Sequence, residues 1–186
     1  MSTVKACVFA SGTGSNFDAI MKKEDLGCEV VLLVCDQPEA KVIEKATRHD
    51  IPTFVFEAKA FDSKADYERK LVQILHEHGV EWIFLAGYMR IIGSTLLHAY
   101  EGKIVNIHPS LLPAFPGKDA IGQAYRAGVK VTGVTIHYVD EGIDTGPIIA
   151  QEAVRVSQDD TIETLKSRIQ QVEHKLYPQV IQQLVK

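Results

Sequence analysis

"VKACVFASGTGSNFDAIMKKEDLGCEVVLLVC", residues 4–35, holds a strand, a glycine-rich turn, a helix and a second strand. Val4–Ala10 is an apolar, strand-like run. Ser15–Leu26 carries Phe17, Ile20 and Met21 at helical spacing. Cys28–Cys35 is almost continuously apolar. A strand without alternation is one buried on both faces, and that is the habit of parallel sheets covered by helices.

The same alternation continues outward from this unit. Glu39–His49 reads as helix, Pro52–Phe56 as a short strand, and Ser63–His78 as an amphipathic helix with Tyr67, Leu71, Ile74 and Leu75 on one face. Ser63 suits its N-cap, with Asp66 three residues on. Trp82–Ala86 and Lys103–Ile107 read as two more strands. A helix over Asp119–Arg126 then separates them from an extended pair, Val131–Val139 and Pro147–Val156. Asp160–Val185 reads as a last helix interrupted near Pro178. The expected fold is a single-domain α/β, Rossmann-like architecture. Its sheet is mostly parallel with helices on both faces, and the closing pair forms an antiparallel edge.

Composition narrows the class. The 186 residues are enough to bury one ordinary core, and 46% hydrophobic with 24% charged is the balance of a globular chain. The net charge of −4 argues against a nucleic-acid partner. The longest purely apolar run, Val30–Cys35, is six residues, too short to span a bilayer. The first residues lack the pattern of a secretory signal, so a cytoplasmic setting is expected. Cys7, Cys28 and Cys35 form no C-x-x-C pair and lie in apolar runs, as buried reduced thiols would.

The first strand ends in "ASGTGSNFDAI". Gly12 and Gly14 open a helix just after a strand, where backbone N–H groups and the helix dipole favour an anion. A dinucleotide fingerprint would need Gly where Phe17 stands, and a Walker A loop would need a lysine. Ser11, Thr13, Ser15 and Asn16 suit a terminal phosphate instead. Two other readings stay open. Asp36, at the end of the second strand, occupies the place of a NAD-binding ribose acid. Alternatively, Gly12 and Gly14 are plain turn residues and Ser15 an N-cap.

"NIHPSLLPAFPG", residues 106–117, sets Asn106 and His108 two apart at a strand end, on one side of the chain, with Pro109 fixing the backbone behind them. "YVDEGIDTGPI" supplies Asp140, Glu141 and Asp144. An amide and an imidazolium at one spot can donate to a developing oxyanion, and a carboxylate can orient the imidazole. No G-x-S-x-G and no cysteine near a histidine offers a nucleophile, which favours direct transfer of an acyl or one-carbon group. A structural His108 and an ordinary turn at Asp144 remain the plainer alternatives.

"GTGSN", "NIHPSLLPAFPG", "DTGPIIAQ" and "VEHKLYP" together resemble the glycinamide ribonucleotide formyltransferases, folate-dependent enzymes of purine synthesis. The resemblance covers nearly the whole chain. The Asn-x-His-Pro-Ser-Leu-Leu-Pro motif is shared with methionyl-tRNA formyltransferase and formyltetrahydrofolate deformylase. The phosphate turn and the single-domain length select the ribonucleotide enzymes.

The resemblance implies 10-formyltetrahydrofolate as co-substrate, no metal, and catalysis by His108, Asn106 and Asp144. It implies that Gly12, Thr13, Gly14, Ser15 and Asn16 hold the ribonucleotide phosphate, and that Gln170 and Glu173 face the ribose. The folate pocket would be lined by Met89, Arg90, Ile91, Ile92, Asn106, Asp140, Glu141 and Asp144, with Lys64 at the folate tail. His137, alternating with Thr135, would lie nearby or be structural. Residues 1–186 would form one formyltransferase domain. About 1–100 would be its phosphate-binding half and about 101–186 its catalytic and folate-binding half. A deformylase and a non-catalytic nucleotide sensor are the competing functions. No membrane partner is expected.

Overall fold

The computed structural model describes residues 2–186. Seven strands and six helices alternate: β1 Val4–Ala10, α1 Ser15–Lys22, β2 Cys28–Cys35, α2 Val42–Arg48, β3 Thr53–Val55, α3 Lys64–Glu77, β4 Trp82–Leu85, α4 Ser94–Ala99, β5 Ile104–His108, α5 Ala120–Ala127, β6 Val131–Tyr138, β7 Ile148–Arg155 and α6 Ile162–Leu184. The sheet order is β3-β2-β1-β4-β5-β6-β7. The strands from β3 through β5 are parallel, and β6 and β7 are antiparallel additions. The single α/β domain with its antiparallel edge is the expected one.

The central strand shows why both faces had to be apolar. Ala6, Val8 and Ala10 of β1 pack with α1, α2 and α6. Cys7 and Phe9 pack with α3 and α4 on the other side. All five are fully buried. Each of the two layers of helices therefore receives alternate residues of the same strand.

The order in which strands are added reverses about β1. β2 and β3 lie on one side of it, β4 and β5 on the other. The turns leaving β1 and β4 diverge, which opens a crevice at the carboxyl ends of these strands. The strand ends at Ala10, Leu85 and His108 all deliver their following loops to this edge.

Three expectations differ. α1 stops at Lys22, four residues early, because Lys23 is extended and Asp25 and Gly27 have positive φ. α6 is not interrupted: Pro178 sits inside it. Proline in a helix interior costs about 3 kcal/mol. Burial of Ile169, Val180 and Ile181, each contributing about 1.5–3 kcal/mol, more than offsets that. The buried Tyr177 hydroxyl also reaches the Leu85 carbonyl at 2.8 Å and the Val105 carbonyl at 3.2 Å, tying α6 across β4 and β5. Lastly, α4 and a 3-10 turn at Ala58–Ala60 have no counterpart in the sequence reading. The six-residue α4 is capped from a distance. Glu68 of α3 accepts from Gly93 N–H at 2.7 Å and from Leu96 N–H at 3.3 Å.

Candidate active site

One cleft of about 900 Å³ occupies the crevice. It takes in Gly12–Asn16, Met89–Ile92, Asn106, His108, His137, Asp140, Asp144, Gln170 and Glu173. Of the residues singled out in the sequence for a ligand, Ser11, Asp36, Lys64 and Glu141 do not line it.

The turn after β1 is built by glycine. Gly14 caps α1 with φ +77°, and a Cβ there would lie 2.5 Å from Val42 Cγ2. Gly14 is thus required by backbone conformation and by the approach of α2. Gly12 has open space where a Cβ would sit, and its carbonyl accepts from Val42 N–H at 3.1 Å. Ser15 is the first residue of α1 rather than its cap, and no side chain caps the helix. The first amides of α1 are left free toward the cleft, where an anion can take them.

Across the turn stands α6. Asn16 Nδ2 donates to Glu173 Oε2 at 3.1 Å, and Asn16 Oδ1 is buried without a partner. Burial pushes the Glu173 carboxyl up, against the opposing effects of the Asn16 hydrogen bond and the Lys166 charge. Lys166, Gln170 and Glu173 fall on one face of the helix at i, i+4 and i+7. That spacing was a usable signal for Lys166, which the sequence reading missed.

The second cluster forms where β5 pairs with β6. Their register sets Asn106 opposite His137 and His108 opposite Thr135. After His108 the chain folds back through a cis Leu112–Pro113 bond and Phe115, which has φ +51°. Thr135 Oγ1 donates to the Ser110 carbonyl at 2.7 Å and accepts from Leu112 N–H at 3.1 Å. Gln151 Nε2 donates to the Leu112 carbonyl at 2.9 Å. The folded-back loop places the Phe115 carbonyl 2.9 Å from His108 Nε2. A carbonyl can only accept, so Nε2 carries the proton, and Nδ1 is left toward Asp144.

Asp144 is held with φ +56°, a conformation Asp tolerates better than most residues. Its Oδ2 accepts from Gly117 N–H at 2.8 Å and lies 3.5 Å from His108 Nδ1. Its Oδ1 lies 3.8 Å from His137 Nε2. Burial pushes His137 down, so at neutral pH it is uncharged. Its Nδ1–H donates to the Tyr138 carbonyl at 2.9 Å, and the Nε2 lone pair faces Asn106 Nδ2 at 3.5 Å. Asp140 is held below the usual carboxylate range by the Thr145 hydroxyl and the Gly142 N–H, which brace the loop. Glu141 is exposed.

The segment after β4 forms the apolar lip, with Met89 70% and Ile91 54% exposed while Ile92 is buried. Lys64 Nζ donates to the Ile91 carbonyl at 2.7 Å, holding this lip from α3. Asp36 is no ribose acid: Ser11 and Arg90 engage its two oxygens, and its side chain is 1% exposed.

An amide donor, an imidazole and a carboxylate converge on one end of the cleft, and an anion-accepting turn lies at the other. Such an arrangement polarises a carbonyl and holds a tetrahedral oxyanion. Cys7, Cys28 and Cys35 are free thiols, and burial raises all three, Cys28 to about 11, so none is an activated nucleophile. Among the described residues, no three His, Cys, Asp or Glu side chains stand close enough to hold a metal ion, and no helix is long and apolar enough to cross a membrane.

The profile of the formyl transferase family matches residues 4–181. The chain is 60% identical over 184 residues to a phosphoribosylglycinamide formyltransferase of Bacillus subtilis (strain 168), covering 97% of this chain and 94% of that protein. It is 43% identical over 182 residues to the trifunctional purine biosynthetic protein adenosine-3 of Gallus gallus, spanning 18% of that longer protein and 96% of itself. Among solved structures, glycinamide ribonucleotide transformylase 1 from Geobacillus kaustophilus superposes with a TM-score of 0.97 at 60% identity, covering 100% of both chains. Phosphoribosylglycinamide formyltransferase from Streptococcus pneumoniae TIGR4 gives 0.94 at 48% identity, covering 98% of this chain and 99% of the other.

Proposed function

The chain belongs to the formyl transferase family, and on that premise we infer that it is an enzyme formylating the glycine amine of 5-phosphoribosylglycinamide in purine biosynthesis. Formyl-folate is the co-substrate, specifically 10-formyltetrahydrofolate. The products are 5-phosphoribosyl-N-formylglycinamide and tetrahydrofolate.

The observation that carries the reading is the two-ended cleft: free amides of α1 at Gly12–Asn16, and the Asn106, His108 and Asp144 cluster at the other end. The turn takes the phosphate, and Gln170 and Glu173 the ribose. Met89–Ile92 and the loop from Asp140 to Asp144 receive the folate. The first hundred residues thus supply the phosphate turn and the apolar lip, and the rest supply the reacting groups.

The glycine amine attacks the formyl carbon. Asn106 Nδ2–H and protonated His108 Nδ1 donate to the oxyanion of the tetrahedral intermediate. As that intermediate collapses, the bond from carbon to the folate N10 breaks. The proton lost by the amine passes to N10, carried by water held against Asp144. The acidic net charge supports small-molecule substrates rather than nucleic acid, and three reduced cysteines support a cytoplasmic setting.

The test is incubation with 10-formyltetrahydrofolate, with and without the ribonucleotide, followed by the absorbance of released tetrahydrofolate. Release only with the ribonucleotide supports the reading. Equal release without it would make the chain a deformylase, and binding without turnover would make it a sensor.

Glu173 gives a prediction with opposite signs in stability and binding. Its folded carboxyl is raised above 4.5, mainly by burial. Above the raised value the buried charge costs stability, and stability is gained as pH falls from there toward 4.5. Glu173→Gln keeps an oxygen for Asn16 and removes the charge. Its Tm at pH 8 is expected to exceed that of the wild type, by about 2–4 °C per kcal/mol relieved, with the gap closing toward pH 4.5. Loss of a charged hydrogen bond should raise the ribonucleotide KM about tenfold and leave the folate KM nearly unchanged. Thermal melts across pH and steady-state kinetics check both halves.

A further inference from the structure

Two loops that the chemistry must bring together are tied through one buried carboxylate. Ser11 immediately precedes the phosphate turn. Its N–H donates to the Gly87 carbonyl at 3.1 Å, and its hydroxyl oxygen accepts from Met89 N–H at 2.9 Å. The same hydroxyl donates to Asp36 Oδ1. Asp36 Oδ2 lies 2.9 Å from Arg90 Nε, and the Arg90 guanidinium stands 5.9 Å over the Tyr67 ring. Asp36 itself lies just past β2, an element that contributes no residue to the cleft lining.

A carboxylate with a 1% exposed side chain is costly unless paired and hydrogen-bonded. Here Oδ1 accepts a hydrogen bond from Ser11 and Oδ2 is ion-paired with Arg90, and the two partners belong to different substrate loops. Replacing such a pair by apolar packing is often neutral or favourable to stability, so pairing of this kind is better explained by the geometry it enforces. The geometry enforced here is the distance between the Gly12–Asn16 turn and the Met89–Ile92 lip. The lip is also pinned from α3, by Lys64 at Ile91 and by Glu68 at Gly93. A shift of the phosphate turn is therefore passed to the apolar side of the cleft through Ser11 and Asp36.

We propose that Asp36 is a positioning residue that couples the two substrate sites, so that a ligand on the phosphate turn strengthens binding at the apolar lip, and the reverse. The inference rests on the two-substrate reading above. Coupling between sites is reciprocal, and its usual size is about 5- to 150-fold in affinity.

The experiment is calorimetric titration with two probes, phosphoribosylglycinamide and an unreactive 5,10-dideaza folate analogue, each in the absence and presence of the other. The wild type, Asp36→Asn and Ser11→Ala are compared. Asp36→Asn keeps an acceptor for Ser11 and loses the charge facing Arg90. Ser11→Ala removes the hydroxyl and leaves the ion pair, so the two variants break different halves of the link. In the wild type each probe should bind at least about fivefold tighter when the other is present. In both variants that factor should fall toward one. Affinity for phosphoribosylglycinamide alone should change by less than about threefold, and the folate KM should rise more than kcat falls. A wild-type factor of one, or a factor the variants leave intact, overturns the role of Asp36 while both probes still bind. Failure of the wild type to bind either probe overturns the two-substrate reading instead. A variant that has lost its cooperative thermal transition is replaced by the other, whose factor then decides.

Discussion

Replacing His108 by alanine is expected to lower kcat by about 10²–10⁴-fold, the scale of a positioned acid–base group. The Phe115 carbonyl takes the Nε2 proton at 2.9 Å, so the nitrogen left for substrate is Nδ1, and that nitrogen stands 3.5 Å from Asp144 Oδ2. His108 and Asp144 then act as one unit, a donor and the charge that supports it. Asp144→Asn removes the charge and should cost about 10- to 10³-fold. The double variant should be little worse than His108→Ala, because members of a unit are far from additive. Ribonucleotide affinity should survive in all three, since the Gly12–Asn16 turn rests on β1 and α2. Folding is guarded as well: Ser110 Oγ lies 3.2 Å from the Phe115 carbonyl and can satisfy it when the imidazole is gone. Single-turnover kinetics with calorimetry on the four proteins check this. Rate losses that simply multiply would return Asp144 to the status of a loop residue.

Asn106→Ala should lower kcat by about 10²–10³-fold with both substrates still bound, the usual effect of removing one oxyanion donor. Asn106 can aim because of its neighbour. Burial pushes His137 below its ordinary 6.5, its Nδ1 proton goes to the Tyr138 carbonyl, and its bare Nε2 faces the Asn106 amide. One N–H of that amide is thereby oriented, and the second is left for the substrate oxygen. As pH falls through the lowered His137 value, Nε2 gains a proton and two donors confront each other, so the amide loses its aim. The wild-type kcat should fall on that acid side, and Asn106→Ala should lose this dependence. Folding shows the same group differently. The unfolded chain takes the proton first, so stability is lost as pH falls from about 6.5 to the folded value. A pH–rate profile of both proteins is the measurement. An acid limb retained in Asn106→Ala would detach His137 from the reaction.

Where the sequence was readable, the physics was local. The alternation of β1 and the apolar run of β2 state their own burial, and Gly14 announces a left-handed turn because few other residues adopt one. Asn106 and His108 could be paired because two-residue spacing in a strand means one face. Where it was not readable, the decisive partner was distant. The carboxylate that caps α4 belongs to Glu68 in α3, and the burial that carries α6 through Pro178 is supplied by the sheet. The approach of Asp144 to His108 depends on two separate loops, with Phe115 at positive φ in one and Asp144 at positive φ in the other, which no spacing encodes. Asp36 sat at a position consistent with ribose binding and turned out to hold two loops. Lys64, expected at a folate tail, donates to the Ile91 carbonyl of the lip. Lys118 and Lys166, both in the cleft lining, had no part in the sequence reading.

The wall that closes the core is made late. Leu165, Ile169, Tyr177, Val180 and Ile181 of α6 pack into the same cluster as Ala6, Val8, Phe84 and Val105. On the ribosome, every strand of the sheet emerges before α6 does. Until then the apolar face is covered only in part, by α1 and α2, and the Leu85 and Val105 carbonyls lack the Tyr177 hydroxyl. Non-local closure of this kind leaves an aggregation-prone intermediate. A chain stalled before residue 162 is thus expected to be sensitive to proteolysis, and it lacks the Gln170 and Glu173 proposed for the ribose side.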